Sequence, residues 1–269
     1  MLSLEKPLRA LVVLCLLEAS WAAPASEITA ASCVVEAPEP TPEPSVSADG
    51  NFVVTVVNSH TAAISTSHFQ GAGSPTAIRH DNEGNIVAPD ETITFAVPTG
   101  WSGRLAMYEE GYDVVDRGSL FEGSFMVDES KNAFMALDVS YVDGFTVPLV
   151  CECNQEVVFG CNLDLHNMCP TELQLNAKTC LNPYREDLAP PINNIFEACA
   201  EMAYTYPTDD LATKVDIPGC SRSILCCIGT ACKPNPSQKL CPGKNGHTQP
   251  CGMIGEARKG EFWQNLWSF

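Results

Sequence analysis

The chain has 269 residues, enough to bury a sizeable core in one large domain or two smaller ones. Its 33 Asp and Glu against 15 Lys and Arg give a formal net charge of -18. That balance argues against nucleic acid or an anionic membrane surface as partner, because both need a basic footprint.

Lys6 and Arg9 precede an apolar run from Ala10 to Leu17, and Ser20-Trp-Ala22 supplies small residues for cleavage. The pattern predicts a secretory signal peptide over 1–22, with a run too short to span a bilayer. Residues 23–50 are rich in Pro and Glu and read as an extended linker without a core. Strand signals begin at Phe52–Val57 and continue through Ala62–Ser67, Glu91–Val97, Gly103–Tyr108 and Leu120–Val127, with a loop expected over 71–84. From Phe134 to Tyr141, apolar Met135, Leu137, Val139 and Tyr141 alternate with Ala136, Asp138 and Ser140, the period of a strand with one buried face. Asp143-Gly144 interrupts that strand as a turn, and Phe145–Val150 resumes an apolar run. Asp138 and Asp143 stand five positions apart, so a straight strand would turn them to opposite faces. Only a bend at Val142-Asp143-Gly144 brings both to one side.

From Cys151 onward cysteines become dense and strand signals fade. Ile192, Ile195, Phe196, Cys199 and Ala203 recur at three- and four-residue spacing behind Pro191, which predicts a short helix over 191–204. Fourteen cysteines, thirteen after removal of Cys15, fit a disulfide framework in an oxidising compartment better than zinc sites at Cys151/Cys153 or Cys226/Cys227. The odd number leaves one thiol free or paired between chains. Residues 221–269 carry six basic and two acidic residues and read as a cysteine-rich tail. Trp263 and Trp267 would share a helical face within it, suited to packing or to a partner.

Five segments then resemble, in order, the signatures of the thaumatin-like proteins: Gly100-Trp-Ser-Gly-Arg104, Ser119-Leu-Phe-Glu-Gly-Ser-Phe125, Asp138-Val-Ser-Tyr-Val-Asp-Gly-Phe-Thr-Val-Pro148, Cys161 to Leu173 and Ala198 to Asp210. The resemblance covers roughly 51–220. It implies a mainly β fold, an antiparallel β-sandwich beside a reduced, disulfide-rich lobe containing a short helix. It also implies the pairs Cys153–Cys220, Cys161–Cys199 and Cys169–Cys180, with Cys151 an alternative to Cys153. The family's cysteine pairs of the first half are absent here, and the tail lies outside the match.

The same resemblance places the family's cleft residues on Arg104, Glu122, Asp138, Asp143 and Asp209. A second Arg frequent in the family falls on Tyr108. Glu122, Asp138 and Asp143 are the catalytic candidates, Arg104 and Asp209 the substrate-binding ones. Two carboxyl groups flanking a sugar can hydrolyse a glycosidic bond, one as acid and one as nucleophile or base. Glu122, beside Phe121 and Phe125, is the expected acid, its pKa raised by partial burial. Trp101 is expected to pack against the sandwich rather than stack on a sugar.

Family members include antifungal defence proteins, β-1,3-glucan binders and some endo-β-1,3-glucanases. The expectation is therefore a protein secreted to the extracellular space or cell wall that binds β-1,3-glucan or another wall polysaccharide through an acidic cleft. Whether it is also a weak endo-β-1,3-glucanase stays open. The alternative is a non-catalytic antifungal, host-interaction or inhibitor protein acting on a secreted protein partner. No cofactor, metal or membrane span is implied.

Overall fold

The computed structural model describes residues 50–79, 86–112, 117–188, 195–220, 222–242 and 248–250. The expected signal peptide, nearly all of the linker, His80, Asp81, Cys33, Cys251, Trp263 and Trp267 lie outside the described residues.

The strands, in chain order, are Phe52–Asn58 (β1), Ile64–Gln70 (β2), Ile78–Arg79 (β3), Ile86–Val87 (β4), Thr92–Val97 (β5) and Trp101–Glu109 (β6). There follow Ser119–Val127 (β7), Ala133–Ser140 (β8), Gly144–Phe145 (β9), Leu149–Cys153 (β10) and Glu156–Cys161 (β11). The remainder are Gln174–Asn176 (β12), Thr179–Leu181 (β13), Lys214–Val215 (β14), Ser223–Ile228 (β15), Leu240–Pro242 (β16) and Thr248–Pro250 (β17).

Two six-stranded sheets form the sandwich, one ordered β11-β10-β15-β1-β5-β3 and the other β14-β8-β7-β6-β2-β4. Every ladder between these strands is antiparallel except that of β1 and β15, which run parallel. Alternation explains the core. Phe52, Val54 and Val56 of β1 and Phe95 of β5 face Leu105 and Met107 of β6, Phe121 and Phe125 of β7, and Leu137 and Val139 of β8 in one buried cluster. Phe52 and Phe125 bring their rings to 5.3 Å across the two sheets. Trp101 is buried in this core, 4% exposed.

β15 departs from the expected layout. It lies within the range read as a tail, yet it sits between β1 and β10 and contributes Ile224, Cys226 and Ile228 to the core. A boundary at Cys220 therefore cuts through paired structure. The sequence hid this because Cys226-Cys227 break the apolar alternation and read as cystine framework.

Beside the sandwich, β12, β13 and β9 form a small three-stranded sheet. Of the helix expected over 191–204, residues 191–194 lie outside the described residues, and the described part holds a 3-10 turn, Glu197–Cys199, one of four such turns among the described residues. The residues after Cys199 prevent an α-helix from continuing through 204. Glu201 takes a left-handed conformation (φ 70°), and Tyr204 joins the end of β8, donating its N–H to Val139 O at 2.8 Å and accepting from Tyr141 N–H at 2.8 Å. The apolar spacing is real, but it serves a chain tied to a sheet and to Cys161. Five disulfides are present among the described residues: Cys151–Cys226, Cys153–Cys220, Cys161–Cys199, Cys169–Cys180 and Cys227–Cys232. Cys151 and Cys153 thus each have their own partner.

Candidate functional site

The outer face of the second sheet carries an unusual row. Register pairs Phe69 of β2 with Arg104 of β6, Arg104 with Glu122 of β7, and Glu122 with Asp138 of β8. Directly opposed residues on adjacent strands stand about 4.5–5.5 Å apart at Cβ, so their side chains interact. The Arg104 guanidinium lies 5.1 Å from the centre of the Phe69 ring, a cation–π contact.

Asp143 reaches the row from beyond the end of β8. The chain bends after Ser140 and pairs Gly144 with Leu181 and Phe145 with Cys180 of β13. Gly144 has φ 144°, and a Cβ there would sit 2.7 Å from Arg117 O and 2.8 Å from Cys180 O. Ser119 and Thr146 fix the far side of the bend: Ser119 N–H donates to Thr146 Oγ1 at 2.9 Å, and Thr146 N–H to Ser119 Oγ at 3.1 Å. Asn182 clamps the near side, its Nδ2 donating to Tyr141 O at 2.9 Å and to Thr205 O at 2.7 Å.

These constraints create an open groove of about 400 Å³. Arg104, Glu122, Asp138, Ser140 and Asp143 line it, with Val142, Tyr204 and Pro207 completing the wall. Four of the five residues singled out from the sequence therefore meet here. Asp209 does not line the groove: it is 3% exposed, and its Oδ2 accepts from Thr205 Oγ1 at 2.9 Å and Thr205 N–H at 3.3 Å. Burial raises its pKa, and the Thr205 bonds oppose that. Its place is the loop that supports Tyr204 and Pro207.

Electrostatics separate the three groove carboxyls. Burial pushes Asp138 up to about 8, and Glu122 opposite adds to the rise. Its Oδ1 has no hydrogen-bond partner among the described residues. Glu122 is also raised, first by burial and further by Asp143, while a hydrogen bond from Ser140 and the charge of Arg104 pull it down. Asp143 is ion-paired. Arg185 Nε lies 2.8 Å from its Oδ1, and an Arg104 guanidinium nitrogen 3.8 Å from its Oδ2. Arg185 follows β13 by four residues, so the small sheet that pairs with β9 also delivers this cation.

Burial raises Glu122, as expected, and raises Asp138 as well, to about 8. Phe121 and Phe125 lie at odd spacing from Glu122 and so occupy the core face, away from its carboxyl. Tyr108, at the position where the family often has a second Arg, bonds Ser67 Oγ at 2.7 Å, and a second guanidinium reaches the groove's Asp143 from Arg185. Arg185, Asn182 and Tyr204 left no local signal, because each acts only through contacts across the fold.

No family model matches the chain. Among characterised proteins it is 33% identical over 106 residues to the pathogenesis-related 5 protein Jun a 3.0101 of Juniperus ashei, covering 34% of this chain and 47% of that protein. It is 31% identical over 106 residues to the pathogenesis-related 5 protein Cup a 3 of Hesperocyparis arizonica, covering 34% and 53%. The chain spans about half the length of the curated relatives it matches. Over that stretch the chain is similar to thaumatin-like, pathogenesis-related 5 proteins, and its mainly β, disulfide-rich fold is consistent with a divergent relative of them.

Proposed function

We propose that this is a secreted, defence-related protein whose groove binds a β-1,3-glucan of the cell wall. The observation that supports the reading is the row Arg104–Glu122–Asp138 facing Asp143 across one open groove. Such a row offers donors and acceptors in register, which suits the hydroxyl edge of a sugar. The protonated Asp138 donates, and Glu122, Ser140 and Arg104 complete the set.

Hydrolysis asks for more. An acid must protonate the leaving oxygen while a second carboxylate attacks, or activates water, from the far side of the ring. Asp138 suits the first role. Glu122, however, stands beside Asp138 on the same sheet face, and Asp143 has both oxygens facing guanidinium groups. The groove is therefore built for binding, with cleavage slow at most.

Incubation of the purified protein with insoluble β-1,3-glucan, followed by pull-down and a reducing-end assay, tests this. Retention on the polymer is expected. Asp138→Asn should abolish whatever reducing-end release occurs and weaken retention only several-fold. Absence of wild-type retention would remove the glucan reading and favour a protein partner.

A further inference from the structure

The sheet face that holds the groove continues past it. One step along the strands toward the β7–β8 hairpin, register aligns Ser102, Ser124, Ala136 and Val215. One step further, Met126 pairs directly with Phe134. Each step is two residues, so the Met126–Phe134 pair lies ~13 Å along the sheet from Glu122 and Asp138. By alternation all of these side chains share the groove's face. Ser102, Ser124 and Ala136 are small beside the rows on either side, so the face should dip there as a shallow trough. The last row is large, apolar and open to solvent: Met126 is 57% exposed and Phe134 43%. Val215 of β14, in line with Ala136, is 65% exposed at the trough's edge.

Resting on the glucan reading of the groove, we propose that this ledge is a second sugar subsite, with Phe134 as its platform and Met126 beside it. A β-linked glucan presents hydroxyl edges and a C–H face. Its hydroxyls meet the charged row, and the C–H face of a unit further along lies on the Phe134 ring, where an aromatic face attracts polarised C–H groups. The small residues between the two rows let an extended chain lie flat. Continuity with the groove on one sheet face selects this occupant. Three exposed apolar side chains fall short of the ~800 Å² per partner that a stable protein interface requires. The ledge makes the protein select for chain length, since only a ligand that spans the trough reaches both rows.

Calorimetric titration with β-1,3-linked gluco-oligosaccharides of increasing length, on wild type, Phe134→Ala and Phe134→Trp, tests the proposal. In wild type, affinity should rise roughly three- to tenfold once the oligomer is long enough to reach Phe134. Phe134→Ala should lose that rise yet bind the shortest ligand as wild type does, and Phe134→Trp should restore it. Because Phe134 is exposed, the alanine variant should retain the wild-type melting temperature. An unchanged length dependence in Phe134→Ala overturns the subsite while the groove reading stands. Equal weakening at every length, the disaccharide included, also overturns it. No binding of any oligomer by wild type sinks the groove reading and the subsite together.

Discussion

Asp138 has a buried carboxyl oxygen with no hydrogen-bond partner among the described residues and a second acid in direct register, and its pKa is pushed up to about 8. The unfolded chain releases that proton near the ordinary value of 3.8. Between those pH values the native state binds more protons than the unfolded one, so stability falls as pH rises through the window and levels off above it. Glu122, also raised, adds to the same slope. Glu109 acts in the opposite sense at acid pH. Its carboxylate is held below the ordinary 4.5 by Lys178 and His60 against the opposing effect of burial, and the stability it contributes is lost as pH falls through its folded value. Asp138→Asn keeps the shape and the neutrality. Melting temperatures measured from pH 4 to 9 should decline for wild type and decline markedly less for the variant, which should be the more stable of the two at pH 8. Parallel curves would mean that Asp138 is ionised in the folded protein. Position on the strand was legible from alternation alone. The proton was not, because it depends first on how far the assembled fold buries the carboxyl and then on Glu122 lying opposite, a fact of register.

The bend between β8 and β9 is the element on which the groove turns. Parity of Asp138 and Asp143 demanded it, and the structure realises it with Gly144 wedged between Arg117 O and Cys180 O. Gly144→Ala would force a Cβ into two carbonyl oxygens at an unfavourable φ, which should cost about 1–3 kcal/mol. Chemical denaturation measures that loss. On the proposed function, glucan binding should fall with it even in the folded fraction, because Asp143 and Arg185 would move apart; full retention of binding would show that the bend does not set the site. The alternating strands β1, β5, β6, β7 and β8 were legible because each turns an alternating set of apolar residues to the core, although β6 and β7 also bury Ala106, Tyr108 and Leu120 on the other side. β12, β13 and the turn at Glu197 were not, since two or three residues carry no period and their place is set by Cys169–Cys180 and Cys161–Cys199.

At the scale of the molecule, the sandwich is completed by a strand that arrives late. β15 lies in the middle of its sheet, parallel to β1 and antiparallel to β10. A chain ending after Cys220 would expose an edge on each of those neighbours and lose Ile224, Cys226 and Ile228 from the core. It should show no native dispersion in a proton–nitrogen spectrum, whereas a chain ending after Leu240 should retain it. A folded shorter chain would return β15 to the status of an appendage. Strand spacing made the sandwich legible and the family resemblance most of the groove; β15 escaped because its identity depends on pairing with β1, at the opposite end of the described chain. Its two adjacent cysteines carry one further meaning. Cys226 lies opposite Cys151 and turns to the core, while Cys227, one residue on, turns outward to Cys232. Had Cys151 oxidised with Cys227 instead, β15 would slip by one residue and turn Ile224 and Ile228 out to water. The neighbouring thiols therefore work as a parity check on assembly, because one choice of sulfur is compatible with a dry core and the other is not.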